Sequence, residues 1–174
     1  MTELRKEEQA EYRAELAHLA GKYLTFKLAE EEYGLEIIKV QEIIGLMPIT
    51  KVPRVPDYMR GVINLRGRII PTVDLRAKFG LEEVEDTERT CIIVVEVTSS
   101  KGKINVGTIV DQVAEVLDIA ADEIDQAPEF GTHLQTDFIL GVAIVKGSVK
   151  ILLDIDAVLT AEEVQTVQTV AENQ

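Results

Sequence analysis

Tryptophan is absent and aromatic residues make up only 5% of the 174 positions, which leaves little of the stacking surface that single-stranded nucleic acid requires. Cysteine occurs once, at Cys91, so an internal disulfide is excluded. The apolar run 91–95 makes that thiol a small core side chain of a buried strand rather than a nucleophile, a usage that fits a reducing cytoplasm. Histidine occurs twice. His18 lies in the leading segment and His133 in a polar loop, and neither has cysteine or carboxylate at ligand spacing. No glycine-rich phosphate loop, H-E-x-x-H or G-x-S-x-G pattern is present. The start shows no basic stretch followed by an apolar one, and no uninterrupted apolar run approaches the ~20 residues that span a bilayer. A soluble protein without direct membrane insertion is expected. Positive charge is also scarce: 18 Lys and Arg face 31 Asp and Glu, a formal charge of −13. That balance argues against binding a phosphate backbone.

The cations that are present are concentrated. Residues 51–78 carry seven of them, Lys51, Arg54, Arg60, Arg66, Arg68, Arg76 and Lys78, against Asp57 and Asp74. A basic island on an acidic protein suits a protein partner steered by complementary potential; a solvated basic hairpin without a partner is the alternative. Within the island, the apolar pairs Val62-Ile63 and Ile69-Ile70 flank Arg66-Gly67. They read as two paired strands whose tight turn uses the positive φ that glycine tolerates, and they display Arg66 at the tip.

Apolar periodicity supplies the remaining elements. Tyr12, Leu16 and Leu19 stand at helical spacing, giving a short amphipathic helix or a frayed tail over 1–20. Leu24, Phe26 and Leu28 alternate with polar neighbours, and a second strand follows around 33–37 after an acidic turn. Residues 38–44 fit neither period cleanly and read as a short helical turn closed by Gly45 and Pro48. One helical turn over 75–79 stops at Gly80, and the acidic stretch 82–88 is a loop. Hairpins are predicted over 91–97 with 104–110, and over 138–145 with 149–155. Thr160-Ala161-Glu162-Glu163 matches a capping box, and Val164, Val167 and Val170 continue it as a helix over 160–174. Many short strands with helix mainly at the ends imply an all-β sandwich or barrel.

Asp74, Asp111 and Asp154 each follow an apolar strand. Three carboxylates can hold Mg²⁺ or act as acid and base, whereas aspartates at strand ends more commonly cap turns. Gly61, Gly107 and Gly141 sit beside apolar strand residues, where a bulge or close strand packing excludes a side chain.

The stretch P-x-V-P-x-x-x-x-G-V-I-N-L-R-G-x-I-I-P-x-V-D-L, from Pro53 to Leu75, resembles the signature of the CheW family of chemotaxis coupling proteins. Three further stretches fall in the family's order: 32–43, 106–116, and 139–143 followed by 151–154. The resemblance runs from about Tyr23 to about Leu159, so residues 21–159 are expected to form the family's domain. It implies two five-stranded SH3-like barrels side by side, and a non-catalytic adaptor without cofactor or metal. Such an adaptor couples transmembrane chemoreceptors to the histidine kinase CheA from the cytoplasm, at receptor clusters on the inner face of the membrane. It implies a groove between the barrels, with Val40, Gly61, Arg66, Val113, Val116 and Gly141, that holds the receptor's cytoplasmic tip. Docking on the CheA regulatory domain would use a barrel end near the basic hairpin. In the family pattern the equivalents of Glu42 and Arg66 lie close together, so an ion pair is expected there, with the guanidinium partly desolvated. Core packing is the equal alternative for Val113 and Val116. Two other classes stay open on the residues alone: a scaffold of another two-component pathway, and an enzyme using the strand-end aspartates.

Overall fold

The computed structural model describes residues 3–99, 102–125 and 138–159. A helix α1 (Glu3–Ala17) leads into β1 (Gly21–Leu28) and β2 (Glu31–Glu36). The chain then crosses to a second sheet for β3 (Val40–Gly45), β4 (Met59–Leu65), β5 (Arg68–Asp74), the one-turn helix α2 (Leu75–Lys78), β6 (Cys91–Ser99) and β7 (Gly102–Val110). It crosses back through Asp111 alone into β8 (Gln112–Ile119), β9 (Ile124–Asp125), β10 (Ile139–Val145), β11 (Ser148–Leu153) and the short helix α3 (Ile155–Val158). Sheet I runs β8-β1-β2-β11-β10-β9 and sheet II runs β3-β6-β7-β5-β4. The fold is therefore mainly β in two sheets. The capping box and the helix expected over 160–174 lie outside the described residues.

The two sheets are one design used twice. Gly61, Val62, Gly67 and Asp74 recur as Gly141, Val142, Gly147 and Asp154, at a constant offset of 80 residues. The backbone follows suit. The register shifts at Gly61 in β4 and at Gly141 in β10. The turns Arg66-Gly67 and Lys146-Gly147 both take positive φ, 53° and 85° against 52° and 77°, the pattern of a type I′ hairpin. The Asp74 amide donates to the Tyr58 carbonyl at 2.7 Å, and the Asp154 amide to the Phe138 carbonyl at 2.8 Å. Sheet II closes on itself, because Thr50 exchanges two 2.9 Å hydrogen bonds with Val62 of its far edge strand. In sheet I the two-residue β9 does the same job against β10. With that match, both sheets hold five long strands in the same spatial order and each is a small closed barrel. Barrel I is permuted: its last two strands, β1 and β2, come first in the chain.

Two elements differ from the sequence expectation. Residues 38–44 are not a helical turn: a 3₁₀ turn occupies Ile37–Lys39 and β3 follows at once. Pairing with β6, from Val40 opposite Val95 to Gly45 opposite Cys91, satisfies this backbone in extended form and overrides an indecisive local pattern. Strand β8 had no clean signal because it is an edge strand paired only with β1, so much of its length stays exposed.

Three apolar clusters fill the molecule. One lies in barrel I around Leu16, Leu19, Tyr23, Ile119 and Leu152, so α1 and the turn after it seal that barrel. Another lies in barrel II around Ile63, Ile70, Ile92, Val94 and Ile109. The largest draws on both, with Leu24, Phe26, Leu28 and Leu35 from barrel I and Met59, Val62, Val73 and Val95 from barrel II. A row of rings, Phe26, Tyr33, Phe79 and Phe138, runs along this shared core with centroids 5.4–5.8 Å apart. Phe79, just after α2, thereby seats barrel II on barrel I. The Tyr23 hydroxyl donates to the Leu19 carbonyl at 2.7 Å, and burial, aided by Glu36, pushes its pKa up to about 12.

The repeat acquires a charge at one core position. Where barrel II has Ile70, barrel I has Lys150, buried and paired with Glu32 of the neighbouring strand. Burial, reinforced by Lys27, pulls the Lys150 ammonium below its ordinary pKa. Lys150→Met is expected to cost about 2 kcal/mol, because it leaves the Glu32 carboxylate without its cation. Lys150→Met combined with Glu32→Gln should recover most of that loss in urea denaturation.

Candidate partner-binding site

Arg66 stands at the tip of the β4–β5 hairpin, held there by the type I′ turn and by the Asn64 side-chain oxygen, which accepts the Gly67 amide at 2.8 Å. Its guanidinium donates to the Glu42 carboxylate of β3. Since β3 and β4 are the two edges of sheet II, this ion pair also joins the barrel's edges. The expected desolvation of Arg66 does not occur: its side chain is 69% exposed, because the turn carries it out past Ile63 and Leu65. The Arg66 hydrogen bond holds the Glu42 carboxyl below the usual carboxylate range. A depressed native pKa means a contact present above the unfolded glutamate value and lost as pH falls through the folded one. Following the Glu42 carboxyl carbon by NMR against pH should give a midpoint below that of an ordinary glutamate, and Arg66→Ala should return it to the ordinary range.

The other singled-out residues occupy different settings. Val40 opens β3 and Val113 lies near the start of β8, the equivalent strand of barrel I. Both are half-buried against the shared core. Val116, further along β8, is 53% exposed. Gly61 and Gly141 are equivalent bulge positions and do not floor an open groove. A Cβ at Gly61 would meet the Thr50 carbonyl oxygen at 2.1 Å, and one at Gly141 the Asp125 carbonyl oxygen at 3.0 Å. Each glycine lets the closing segment of its own barrel approach. Sequence reasoning passed over several exposed apolar side chains: Ile38 at 79%, Ile43 at 45%, and Ile69, Ile144 and Val149. The available signal was an apolar residue on the polar phase of a strand: in β3, Ile43 shares the outward face with Gln41 and Gly45.

The basic island is narrower in space than in sequence. Arg60 is spent on Asp86 at 2.7 and 3.0 Å, with Asp74 at 3.5 Å, and Arg76 on Asp111. Asp86 belongs to the acidic loop outside the island, so that loop neutralises part of it. Lys78 lies 5.0 Å above the Tyr58 ring. Lys51, Arg54, Arg66 and Arg68 remain exposed. The strand-end aspartates are dispersed. Asp74 accepts the Arg76 amide at 3.0 Å, and Asp154 accepts the Asp156 and Ala157 amides at 3.1 and 3.4 Å, each capping a short helix. Asp111 sits at a crossing between barrels. Among the described residues no three His, Cys, Asp or Glu converge as a metal-ligand set. His18 is exposed, and His133 lies outside the described residues. Cys91 is half-buried at the start of β6, and burial raises its thiol pKa. No helix among the described residues is long and apolar enough to cross a membrane.

This arrangement presents exposed cations and isolated apolar side chains on strands, features that suit a surface for protein contact. Comparison with known proteins agrees in kind. Residues 22–163 match the CheW-like domain. "Chemotaxis protein CheW" of Klebsiella aerogenes is 40% identical over 165 residues, covering 92% of this chain and 97% of that protein. The protein of the same name from Bacillus subtilis is 37% identical over 147 residues, covering 83% and 90%. A crystal structure titled as the scaffolding protein TtCheW, from Thermoanaerobacter tengcongensis, superposes with a TM-score of 0.73 at 35% identity, covering 83% of this chain and 95% of that one. A domain match over most of the length, relatives of the same extent and a shared two-barrel fold together mean that this chain belongs to the CheW family.

Proposed function

We propose that the chain is a non-catalytic adaptor that couples transmembrane chemoreceptors to the histidine kinase CheA during bacterial chemotaxis, acting in the cytoplasm at receptor clusters. The observation that carries this reading is Arg66, projected by the hairpin turn and anchored by Glu42, in a barrel whose strands also expose Ile43 and Ile69. An exposed guanidinium with apolar side chains exposed on the strands of the same barrel suits a protein helix bearing carboxylates and small apolar residues. In this reading Arg66 and Val116 touch the receptor tip. Val40 and Val113 shape the surface from below, and Gly61 and Gly141 act by allowing their barrels to close. The exposed cations Lys51, Arg54 and Arg68 steer the CheA regulatory domain to the barrel end near the hairpin. The adaptor contributes by raising the effective concentration of its two partners for one another.

Calorimetric titration against the CheA regulatory domain and, separately, a receptor cytoplasmic fragment tests this. Saturable binding to both is expected, with Arg66→Ala folded but at least tenfold weaker toward the receptor, a loss of about 1.4 kcal/mol. Failure of the native chain to bind either partner would transfer it to a different signalling scaffold.

A further inference from the structure

The chain passes between the barrels twice, and each passage is tied down by an ion pair in an equivalent place. Lys39 immediately precedes β3 and Asp111 immediately precedes β8, so the two are matched positions at the exits of barrels I and II. Arg76 of α2 and Asp156 of α3 are matched as well, at the offset of 80 that relates the barrels. Each exit is clasped by its own short helix. Asp111 accepts Arg76, and the Lys39 ammonium donates to Asp156 at 2.7 Å. In each clasp the carboxylate also accepts an amide from a hairpin of the opposite barrel. Asp111 takes the Ala29 amide of the β1–β2 turn at 2.8 Å, and Asp156 takes the Thr98 amide of β6 at 2.9 Å. The geometry is repeated but the charges are exchanged. In one clasp the helix carries the cation and the crossing the anion; in the other the reverse holds.

We infer that Asp111 and Asp156 are positioning residues that fix the angle between the two barrels, and with it the relative placement of the faces on which an adaptor holds its partners. The apolar cluster shared by the barrels supplies most of their cohesion, but apolar contact is non-directional and tolerates sliding. Charge-assisted hydrogen bonds to a carboxylate are directional, and two of them, one at each passage between the barrels, leave one mutual orientation. The exchanged polarity adds selectivity. Arg76 would repel Lys39, and Asp156 would repel Asp111, so each helix is compatible only with its own crossing. The consequence for partner binding rests on the adaptor reading; the fixing of the angle does not.

Amide residual dipolar couplings of the whole chain read the angle directly. In the native protein a single alignment tensor should fit both sheets. In Asp156→Arg, which faces Lys39 with a like charge, and in Asp111→Asn, each sheet should require its own tensor, with axes that no longer coincide. Asp156→Asn, like Asp111→Asn, keeps an acceptor for its amide partner and should show a smaller divergence than Asp156→Arg. Lys39→Asp combined with Asp156→Arg recreates the polarity of the other clasp and should bring the two tensors closer together than in Asp156→Arg alone, short of the native match because the Thr98 amide keeps no acceptor at position 156. Receptor-fragment affinity should fall about fivefold to tenfold in Asp156→Arg and return in part in the exchanged pair. One shared tensor in both Asp156→Arg and Asp111→Asn, each with a dispersed folded spectrum, would overturn the inference. So would an exchanged pair no closer to the native protein than Asp156→Arg alone. A native chain that binds no receptor fragment would refute the adaptor reading while the couplings still judge the clasps.

Discussion

Gly61→Ala is expected to destabilise the protein by about 3 kcal/mol, out of proportion to a single added methyl group. Two costs coincide. The residue has φ of 146°, a backbone region that is essentially glycine's alone. The new Cβ would also lie 2.1 Å from the Thr50 carbonyl oxygen and 2.8 Å from its carbon, so backbone must move. The backbone in question is the bridge that closes barrel II, whose two hydrogen bonds join Thr50 to Val62. Gly141→Ala is the internal control. It occupies the equivalent bulge, but its φ is not positive and its nearest contact, the Asp125 carbonyl oxygen, is at 3.0 Å. A loss of about 1 kcal/mol is expected there. Urea denaturation followed by far-ultraviolet circular dichroism measures both. Similar losses for the two variants would mean that barrel II closes by some means other than the Thr50 bridge. The same experiment bears on partner binding. If Gly61 acts through closure, its substitution should shift the Arg66–Glu42 contact, which joins the same two edges.

Phe26→Ala should cost about 3–5 kcal/mol, the range for removing a fully buried ring. Phe26 belongs to barrel I by its strand, yet it sits in the cluster shared with barrel II, stacked on Tyr33 at the head of the aromatic row. The cavity would therefore open at the seam. Because neither barrel's own cluster matches the shared one, the two barrels are expected to unfold as one unit. Hydrogen exchange in β4 and β5 should accelerate by the same free energy as in β1 and β2, although Phe26 is not part of barrel II. A two-step denaturation, or protection lost in barrel I alone, would show that each barrel is stable by itself.

Much of the architecture is written locally. Alternation at Leu24, Phe26 and Leu28 marks β1. Gly67 marks the turn because glycine accepts positive φ cheaply, whereas Arg66 takes positive φ against the ordinary preference of a side chain. Asp74 followed by Leu75 starts a capped helical turn that stops at Gly80. The scarcity of cysteine and histidine, the absence of tryptophan and the acidic balance narrowed the functional classes before any contact was considered. Arg66 itself was legible for the same reason, since a hairpin tip is defined by adjacent residues. Its environment was less so. The prediction of a desolvated guanidinium failed because exposure depends on how far a turn projects from the finished barrel.

Tertiary structure decided what short windows leave undetermined. Residues 40–44 became strand rather than helix because β6, some fifty residues on, pairs with the backbone from Val40 to Gly45, with one bulge at Gln41. Edge position explains why β8 carries little periodic signal. Arg60 and Arg76 left the basic island only when the acidic loop and Asp111 were brought to them. The permutation of barrel I, its closure by β9 and the clasps at Lys39 and Asp111 join distant residues, Glu32 with Lys150 and Lys39 with Asp156 among them. Sequence by itself determined the hairpins, their turns, the cap at Asp74 and the arginine on display, since each rests on the conformational preferences of neighbouring residues. The pairing of those strands into two equivalent barrels, and the angle between them, arise only when distant segments bury a common apolar core and satisfy one another's polar groups.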